Sequence, residues 1–479
     1  MTDQPTSEAG WNWDHSYQHL PEMFFESALP EPVTAPRLAV FNDHLATELG
    51  LISQVLKRPG NAAVFTGNKI PRGAKPIAQA YAGHQYGGFT GLGDGRAILL
   101  GEHITPDGGR FDVQLKGPGR TRFSRGGDGR AALGPMLREF LISEAMHALG
   151  IPTTRGLAVA TTGETVLRER PLPGAVLTRV AASHIRVGTF QWAAAHEDIQ
   201  ALEAIAHYTR RRHFPHLADA GHFEFFQAVL ARQAELIARW MLVGFVHGVM
   251  NTDNMALSGE TIDYGPCAFM EAYDSATVFS SIDRFGRYAY GQQPTIARWN
   301  LARFAEAMLP LLAENQEKGA ELANEELGRF MEIYEHHWLV GMRAKIGLVT
   351  AEEVDRPLID DLLSHMHACG ADFTNTFRSL AGCSSFPDPG WHVRWQERMA
   401  RENKTPEEIA ALMRANNPAV IPRNHKVEEA LEAASADGNL GPFHNLLAAV
   451  RNPYAEYQGA EFTSPSPVGA PPYVTYCGT

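Results

Sequence analysis

The chain has 479 residues, 44% of them hydrophobic and 20% charged, a composition typical of a globular protein with two or three structural units. A formal net charge of −12 argues against nucleic acid or an anionic membrane as the main partner, and no apolar run is long enough to span a bilayer. The acidic N-terminus lacks a targeting pattern and the four cysteines lack zinc-site spacing, so we expect a cytoplasmic monomer with reduced thiols.

The first 75 residues are rich in aromatic residues and proline, and they are too apolar to be disordered. A helix is expected from Pro36 to Leu49, because Gly50 follows as a stop signal. We expect this segment to pack on the next unit.

Residues 81–101 contain seven glycines around a predicted strand, Ala97–Leu100. Glycine allows backbone N–H groups to approach an anion closely. The next predicted strand, Phe111–Lys116, ends in a lysine, the position from which protein kinases reach nucleotide phosphates. A glycine-rich hairpin without a ligand and an ordinary lysine at a strand end are the alternatives.

The loop 117–130 contains four arginines and is predicted to be an anion-binding loop, although a solvated loop is the alternative. A buried helix follows from Pro135 to Leu149, with Gly150 as its stop signal. In a kinase a helical glutamate pairs with the strand lysine, so either Glu139 or Glu144 is expected to hold Lys116.

Strands are predicted at 156–161, 165–168 and 175–180, and Arg179 and Arg186 lie where a kinase has its hinge between lobes. Cations suit phosphate better than adenine. The two arginines therefore favour a nucleotide bound with its triphosphate tail directed inward.

A helix predicted from His222 leads to His247-Gly-Val-Met-Asn-Thr-Asp-Asn254, and Asp263 follows. The spacing matches the kinase pattern H-R-D-x-x-x-x-N followed by a magnesium-binding aspartate, with Asn254 and Asp263 as oxygen ligands. Val249 replaces the kinase base, and Asp253 is the only carboxylate inside the loop. Two readings remain open, a silent nucleotide binder and an enzyme that transfers another part of the nucleotide. Val249 disfavours a third reading, a small-molecule phosphotransferase.

The rest of the chain is predicted to be mostly helical. A loop is expected up to about residue 293, helices over 294–350 and 351–370, one helix within 384–425 and one over 426–450. The tail after Pro453 is rich in proline, glycine and serine and is expected to be flexible.

Several long stretches resemble the selenoprotein O family of pseudokinase-fold protein adenylyltransferases, over nearly the whole chain. The most specific are YAGHQYGGFTGLGDGRAILLGE, QLKGPGRTRFSRGGDGRAALGPMLREFLISEAMHALGIPTTR, HGVMNTDNMALSGETIDYGPCAFM and NNPAVIPRNHKVEEAL. The resemblance implies transfer of AMP from flipped ATP to Ser, Thr or Tyr hydroxyls of proteins, with Mg²⁺ or Mn²⁺. It implies that Asp253 accepts the proton, that Asn254 and Asp263 bind the metal and that Glu139 pairs with the lysine. The implied nucleotide contacts are Gly93, Gly95, Arg96, Lys116, Asp128, Gly129, Arg179, Arg186 and Asp263.

The expected fold class is therefore α+β, a protein-kinase-like two-lobed fold with N-terminal and C-terminal helical extensions. The expected units are an N-terminal extension (1–75), a β-rich N-lobe (76–182), a helical C-lobe (183–350) and a C-terminal extension with a flexible tail (351–479). UMP transfer from UTP and a silent nucleotide-binding scaffold remain alternatives. The resemblance also raises a regulatory disulfide, for which Cys267 and Cys477 are the candidate pair, although a cysteine that some members carry near position 279 is Phe279 here.

Overall fold

The computed structural model describes residues 9–382, 388–457, 459–467 and 469–475, which form an α+β structure with one large antiparallel sheet and a helical body. The strands are β1 Trp13–Asp14, β2 Phe25–Ser27, β3 Arg37–Phe41, β4 Ile77–Gln79, β5 Ala82–Gln85, β6 Gly88–Gly91, β7 Ala97–Ile104, β8 Arg110–Lys116, β9 Ala131–Ala132, β10 Arg155–Leu167, β11 Pro171–Ala181, β12 Phe245–Val246 and β13 Ala268–Phe269.

The large sheet has the strand order β2-β4-β7-β8-β11-β10-β3, with β1 added beside β7 and β9 beside β11. The β8–β11 pairing sets Lys116 opposite Leu177 and Gln114 opposite Arg179. Two further sheets have two strands each: the β5–β6 hairpin and the β12–β13 pair. The register of β8 and β11 therefore brings Lys116 and Arg179 to one end of the sheet.

The expected helix from Pro36 to Leu49 is wrong in its first half. The structure has strand β3 at Arg37–Phe41, and helix α1 (Asp43–Glu48) begins only after Asn42, whose side chain accepts a hydrogen bond from the Leu45 N–H at 3.2 Å. The apolar residues of this segment fit both a helical and a strand periodicity, and the segment forms a strand because it pairs with β10. The N-terminal extension therefore contributes strands to the sheet and is not purely helical.

The remaining helices are α2 Ser53–Leu56, α3 Ala62–Thr66, α4 Leu133–Ala148, α5 Val187–Ala195, α6 Ile199–His213, α7 His222–Leu242, α8 Gln293–Leu312, α9 Gln316–Lys345, α10 Asp355–Cys369, α11 Phe373–Leu380, α12 Pro389–Met399, α13 Pro406–Asn416, α14 Asn424–Asp437 and α15 Gly441–Val450. The helix predicted from His222 is confirmed. Two helices are present within 384–425 and two within 424–450, where one was expected in each region.

Helix α4 lies between the sheet and the C-terminal helices α14 and α15. Leu137 and Phe140 of α4 share one core with Val159 of β10 and with Val427 and Phe443 of the C-terminal helices. The apolar residues all round α4 are explained by this position, because the sheet covers one side and the C-terminal helices cover another.

The tail after Pro453, expected to be flexible, makes defined contacts as far as the last described residue. Thr475 is buried, and its hydroxyl lies within hydrogen-bond distance of two carbonyl acceptors, those of Pro266 at 2.8 Å and Phe279 at 3.0 Å. The Ser281 N–H donates to the Thr475 carbonyl at 3.0 Å. The tail is thereby tied to the loop that follows Asp263.

Among the described residues, none of the helices combines the length and the apolar character needed to cross a lipid bilayer.

Candidate active site

A cavity of about 540 Å³ opens between the glycine-rich segment, the arginine-rich loop 117–130 and the loop 249–266. Every predicted site residue except Glu139 lines it: Gly93, Gly95, Arg96, Lys116, Asp128, Gly129, Arg179, Arg186, Asp253, Asn254 and Asp263. Residues up to 170 positions apart in sequence are thus brought to one cavity.

Three cations surround the Asp263 carboxylate at the inner end of this cavity. Its Oδ1 accepts hydrogen bonds from Lys116 Nζ at 2.9 Å and from Arg179 at 2.6 Å, and its Oδ2 accepts one from Arg186 at 3.0 Å. Burial alone would raise the pKa of Asp263, but the charges of Lys116, Arg179 and Arg186 hold it well below its usual value. Lys116 and Arg179 also contact Glu139, and three cations against these two carboxylates leave one excess positive charge, which suits a polyphosphate.

Glu139, and not Glu144, holds the strand lysine. Glu139 on α4 accepts hydrogen bonds from Lys116 at 2.6 Å and from Arg179 at 3.1 Å. Glu144, five residues later, faces elsewhere and pairs with Arg155 at 2.5 Å and with Arg451 of the C-terminal region at 2.9 Å. The two glutamates therefore have different positions: Glu139 lies behind the cavity and holds two of its cations, and Glu144 lies at the contact with the C-terminal helices.

Asp253 is buried and has one carboxylate oxygen, Oδ1, without a hydrogen-bond partner among the described residues. Its other oxygen, Oδ2, accepts only a long hydrogen bond of 3.4 Å from Gln85. Burial raises the pKa of Asp253 to about 6, although the charge of Arg186 opposes this shift. A carboxylate with an unused oxygen and a pKa near neutrality can accept a proton from a substrate hydroxyl.

Gly83 makes room for Asp253. A Cβ at this position would lie 2.3 Å from Asp253 Oδ1, and the same hairpin carries Gln85, which contacts Oδ2. A side chain at position 83 would therefore collide with Asp253, which explains the glycine there. The sequence had suggested only an anion-binding role for the glycine cluster as a whole.

The donor set for a divalent metal fits magnesium. Asn254 donates through Nδ2 to the Val249 carbonyl at 3.0 Å, which fixes the amide and leaves its Oδ1 available as a ligand. Asp263 supplies a carboxylate from a left-handed backbone conformation with φ of +61°, which an aspartate tolerates better than most residues. Amide and carboxylate oxygens are ligands that Mg²⁺ and Mn²⁺ prefer, and both residues line the cavity.

The predicted glycines are placed where side chains do not fit. A Cβ on Gly93, whose φ is +135°, would lie 2.4 Å from the Phe123 ring, and one on Gly129, whose φ is +64°, would lie 2.0 Å from the Gly119 carbonyl oxygen. Gly93 therefore lets the glycine-rich segment pack on Phe123 of the arginine-rich loop, and Gly129 lets two parts of that loop approach each other.

Asp128 and Arg96 form part of the outer wall. Asp128 accepts hydrogen bonds from Arg168 at 2.8 and 3.1 Å, and this pairing lowers its pKa below the usual value. The Arg96 carbonyl accepts a hydrogen bond from the Gly117 N–H at 2.7 Å, which joins the glycine-rich segment to the end of β8. Both residues line the cavity as predicted.

Sequence reasoning missed Asp94 and Tyr81, which also line the cavity. Asp94 is buried, accepts hydrogen bonds from the Gln79 N–H and from Gln114, and its pKa is raised by burial to about 6. The Arg186 guanidinium lies 4.5 Å from the Tyr81 ring centroid. The motif Gly-Leu-Gly-Asp-Gly, a carboxylate between glycines of an anion-binding loop, was the available signal for Asp94.

Cys267, a candidate for the disulfide, is fully buried as a free thiol, and burial raises its pKa to about 11. Its carbonyl oxygen accepts a hydrogen bond from Arg138 of α4. Cys477 lies outside the described residues, so the disulfide stays a prediction.

Comparison with known proteins identifies the family. The family model described as "Protein adenylyltransferase SelO" matches residues 9–451. Proteins named "Protein nucleotidyltransferase YdiU" are similar over their full length: the one from Geobacillus kaustophilus is 59% identical over 98% of this chain and 100% of its own. Those from Brevibacillus brevis and Syntrophotalea carbinolica are 57% and 56% identical, each over 100% of this chain and 100% and 99% of their own. With a cavity built from the residues that the motifs predicted, and with a match across almost its entire length, the chain belongs to the SelO family of protein adenylyltransferases.

Proposed function

We propose that this protein transfers AMP from ATP to Ser, Thr or Tyr hydroxyls of other proteins, on a kinase-like two-lobed fold that binds the nucleotide with its triphosphate tail inward. The observation that carries the proposal is the convergence of Lys116, Arg179 and Arg186 at the inner end of the cavity. Three buried cations suit the β- and γ-phosphates and are unsuited to a purine ring.

The inward tail leaves the α-phosphate on the side of Asp253. Lys116, Arg179 and Arg186 would then hold pyrophosphate as it leaves, which stabilises the charge that develops in the transition state. Glu139 keeps Lys116 and Arg179 in place through its two hydrogen bonds. Asp253, which lines the cavity, would take the proton from the attacking hydroxyl.

Magnesium held by Asn254 and Asp263 would neutralise part of the phosphate charge when bound. Asp263 is paired with three cations in this structure, so metal and nucleotide together would redistribute these contacts: the cations to phosphate, the carboxylate to the metal. Manganese prefers the same oxygen ligands.

ATP labelled at either the α- or the γ-phosphate tests the proposal on the full-length protein with a protein acceptor. Label from the α-phosphate on protein is expected, and label from the γ-phosphate would indicate a kinase and contradict it. No label from either would indicate a silent scaffold. Because the relatives carry the broader name nucleotidyltransferase, α-labelled UTP run in parallel measures which nucleotide is the donor.

A further inference from the structure

An exposed surface lies beside the Asp253 side of the cavity, where the β5–β6 hairpin meets the loop that precedes α8. It consists of Phe89, Ile282, Arg284, Phe285 and Arg287, and we call it the acceptor-side patch. Its apolar side chains are unusually exposed: 99% for Phe285, 56% for Ile282 and 51% for Phe89. Ile282 also lines the cavity, so the patch is continuous with the site.

The two segments that carry this patch are held together by Asn251, two residues before Asp253. Asn251 Oδ1 accepts hydrogen bonds from the Tyr86 N–H at 3.2 Å and from the Tyr288 hydroxyl at 2.7 Å. The rings of Tyr86 and Tyr288 pack at a centroid distance of 5.1 Å. The geometry of the patch is therefore fixed relative to the catalytic loop.

A chain of ring contacts connects the two sides of the patch. Phe89 packs on His84 at 5.2 Å, His84 on Trp299 at 5.5 Å, and the Arg287 guanidinium lies 4.7 Å from the Trp299 ring centroid. Arg287 is thereby held beside the cavity by aromatic rings and not by an acidic partner.

The patch carries positive charge that the protein does not neutralise. In the part of the chain that the structure describes, neither Arg284 nor Arg287 has a carboxylate within 4.0 Å, and Arg284 is exposed. By contrast, the nearby Arg303 pairs with Glu306. Arg284 is exposed and Arg287 is half-buried, and neither has a carboxylate partner among the described residues. On a protein with a net charge of −12, two such arginines beside exposed apolar side chains form a local positive surface that is available to an acidic partner.

We propose that the acceptor-side patch binds the polypeptide segment around the modified hydroxyl and selects segments in which an acidic side chain lies close to an apolar one. Arg284 and Arg287 would pair with the acidic side chain, while Phe285, Ile282 and Phe89 would cover the apolar one. The inference rests on the proposed function and adds the substrate class to it.

Three synthetic peptides test the patch, each with a single threonine flanked by Glu and Leu, by Gln and Leu, or by Lys and Leu. The full-length protein is incubated with α-labelled ATP, magnesium and each peptide, and kcat/KM for label transfer is measured. We expect the Glu peptide to exceed the Lys peptide by about tenfold, because two exposed ion pairs are gained and two repulsions are avoided. The preference should fall as salt concentration rises.

The variant Arg284→Glu should lose the preference for the Glu peptide and gain activity on the Lys peptide, a gain that misfolding cannot produce. Phe285→Ser should reduce kcat/KM for all three peptides while leaving ATP binding unchanged. Lys318→Glu, a matched charge reversal at the start of α9 where Lys318 pairs with Glu321 at 3.0 Å, should behave like the wild type.

Equal rates on the three peptides, or an unchanged preference in Arg284→Glu, would contradict the proposal that the acceptor-side patch selects the substrate segment. Label on lysate proteins or on the enzyme itself, with none on any peptide, would also overturn it, because a short segment would then not be recognised. Label on no acceptor of any kind would instead overturn the proposed function.

Discussion

Asp253 combines three properties that a proton acceptor needs: burial, a carboxylate oxygen without a partner and a pKa raised to about 6. Since a base acts on the attacking hydroxyl and not on bound ATP, Asp253→Asn should lower kcat by roughly 10²–10⁴-fold with little change in nucleotide affinity. Steady-state label transfer and ATP-binding calorimetry on the same variant measure the two quantities.

Asp437→Asn, at the exposed end of α14, is the control for loss of one carboxylate and should leave both quantities unchanged. A variant at Asp253 that keeps its turnover, or that loses turnover and ATP binding in proportion, would contradict the assignment.

Lys345 is a second residue whose environment makes a measurable prediction. Its side chain is buried over the rings of Phe373 at 5.3 Å and Phe377 at 4.4 Å, and burial lowers its pKa to about 7. Because the unfolded chain binds this proton up to about pH 10, the unfolded state holds more protons between pH 7 and 10. Stability should therefore rise with pH across this range, and the cost of burying the amine is largest below pH 7.

Lys345→Met removes this cost and should raise the free energy of unfolding at pH 7 by roughly 1–3 kcal/mol, a figure reduced from the full pKa difference because the two rings favour the charged amine. Denaturant unfolding of both proteins at pH 6, 7.5 and 9.5 measures the difference, which should shrink as pH rises. A constant difference would show that the pKa of Lys345 is not lowered in the folded protein, and a less stable variant at pH 6 would show that the buried amine does not destabilise it.

At the scale of the elements, helix α4 connects the site to the C-terminal region. One turn carries Glu139 to Lys116 and Arg179, while the next carries Glu144 to Arg155 and Arg451. The Phe443 side chain of α15 is fully buried and its ring lies 6.3 Å from that of Phe140 on α4. The position of Glu139 therefore depends on contacts made more than 300 residues later.

Phe443→Ala should lower the free energy of unfolding by about 3–5 kcal/mol through the cavity that it leaves. Because α4 loses support behind Glu139, KM for ATP should rise before the fold is lost. His444→Ala, a partly exposed neighbour on the same helix, is the matched control. Thermal unfolding measures the loss of stability, and ATP titration at 15 °C, where the variant should remain folded, measures KM. An unchanged KM would show that the contacts of α15 do not affect the site.

The sequence alone predicted the helices and strands that have a strong apolar periodicity. It did not determine the elements whose conformation depends on pairing with a distant strand. β8 and α7 were identified from their apolar periodicity, but the residues around Leu38 and Val40 fit either a helix or a strand until β10 is placed beside them. The choice between Glu139 and Glu144 was also open, because α4 is buried on several sides and no single face marks the sheet. Asp94 was missed, since a carboxylate inside a glycine-rich turn resembles an ordinary turn residue.

At the scale of the whole molecule, contacts cross the expected boundaries of the four units. β2 pairs with β4 across the boundary at residue 75, and α14 and α15 share a core with α4 across the boundary at residue 350. Thr475 and Arg451 add polar contacts from the C-terminal region to the loop after Asp263 and to α4. The boundaries stay predictions, but these contacts imply that the C-terminal region and the β-rich region depend on each other.

Deletion of residues 420–479 tests this dependence. The deletion would expose Leu137, Phe140 and Leu141, each fully buried in the intact chain, and would leave Glu144 with one arginine in place of two. Burial of a large apolar side chain contributes about 1.5–3 kcal/mol, so the loss of cover over three of them is comparable with half of a typical stability of about 5–15 kcal/mol. The shortened chain should therefore lose its cooperative thermal transition and its ATP binding together.

The four-residue deletion of 476–479 is the control, because it removes none of these contacts and should unfold as the intact protein does. If the chain ending at 419 kept a cooperative transition at an unchanged temperature, the β-rich region would be independent of the C-terminal helices, and the effect expected for Phe443→Ala on ATP binding would lose its basis as well.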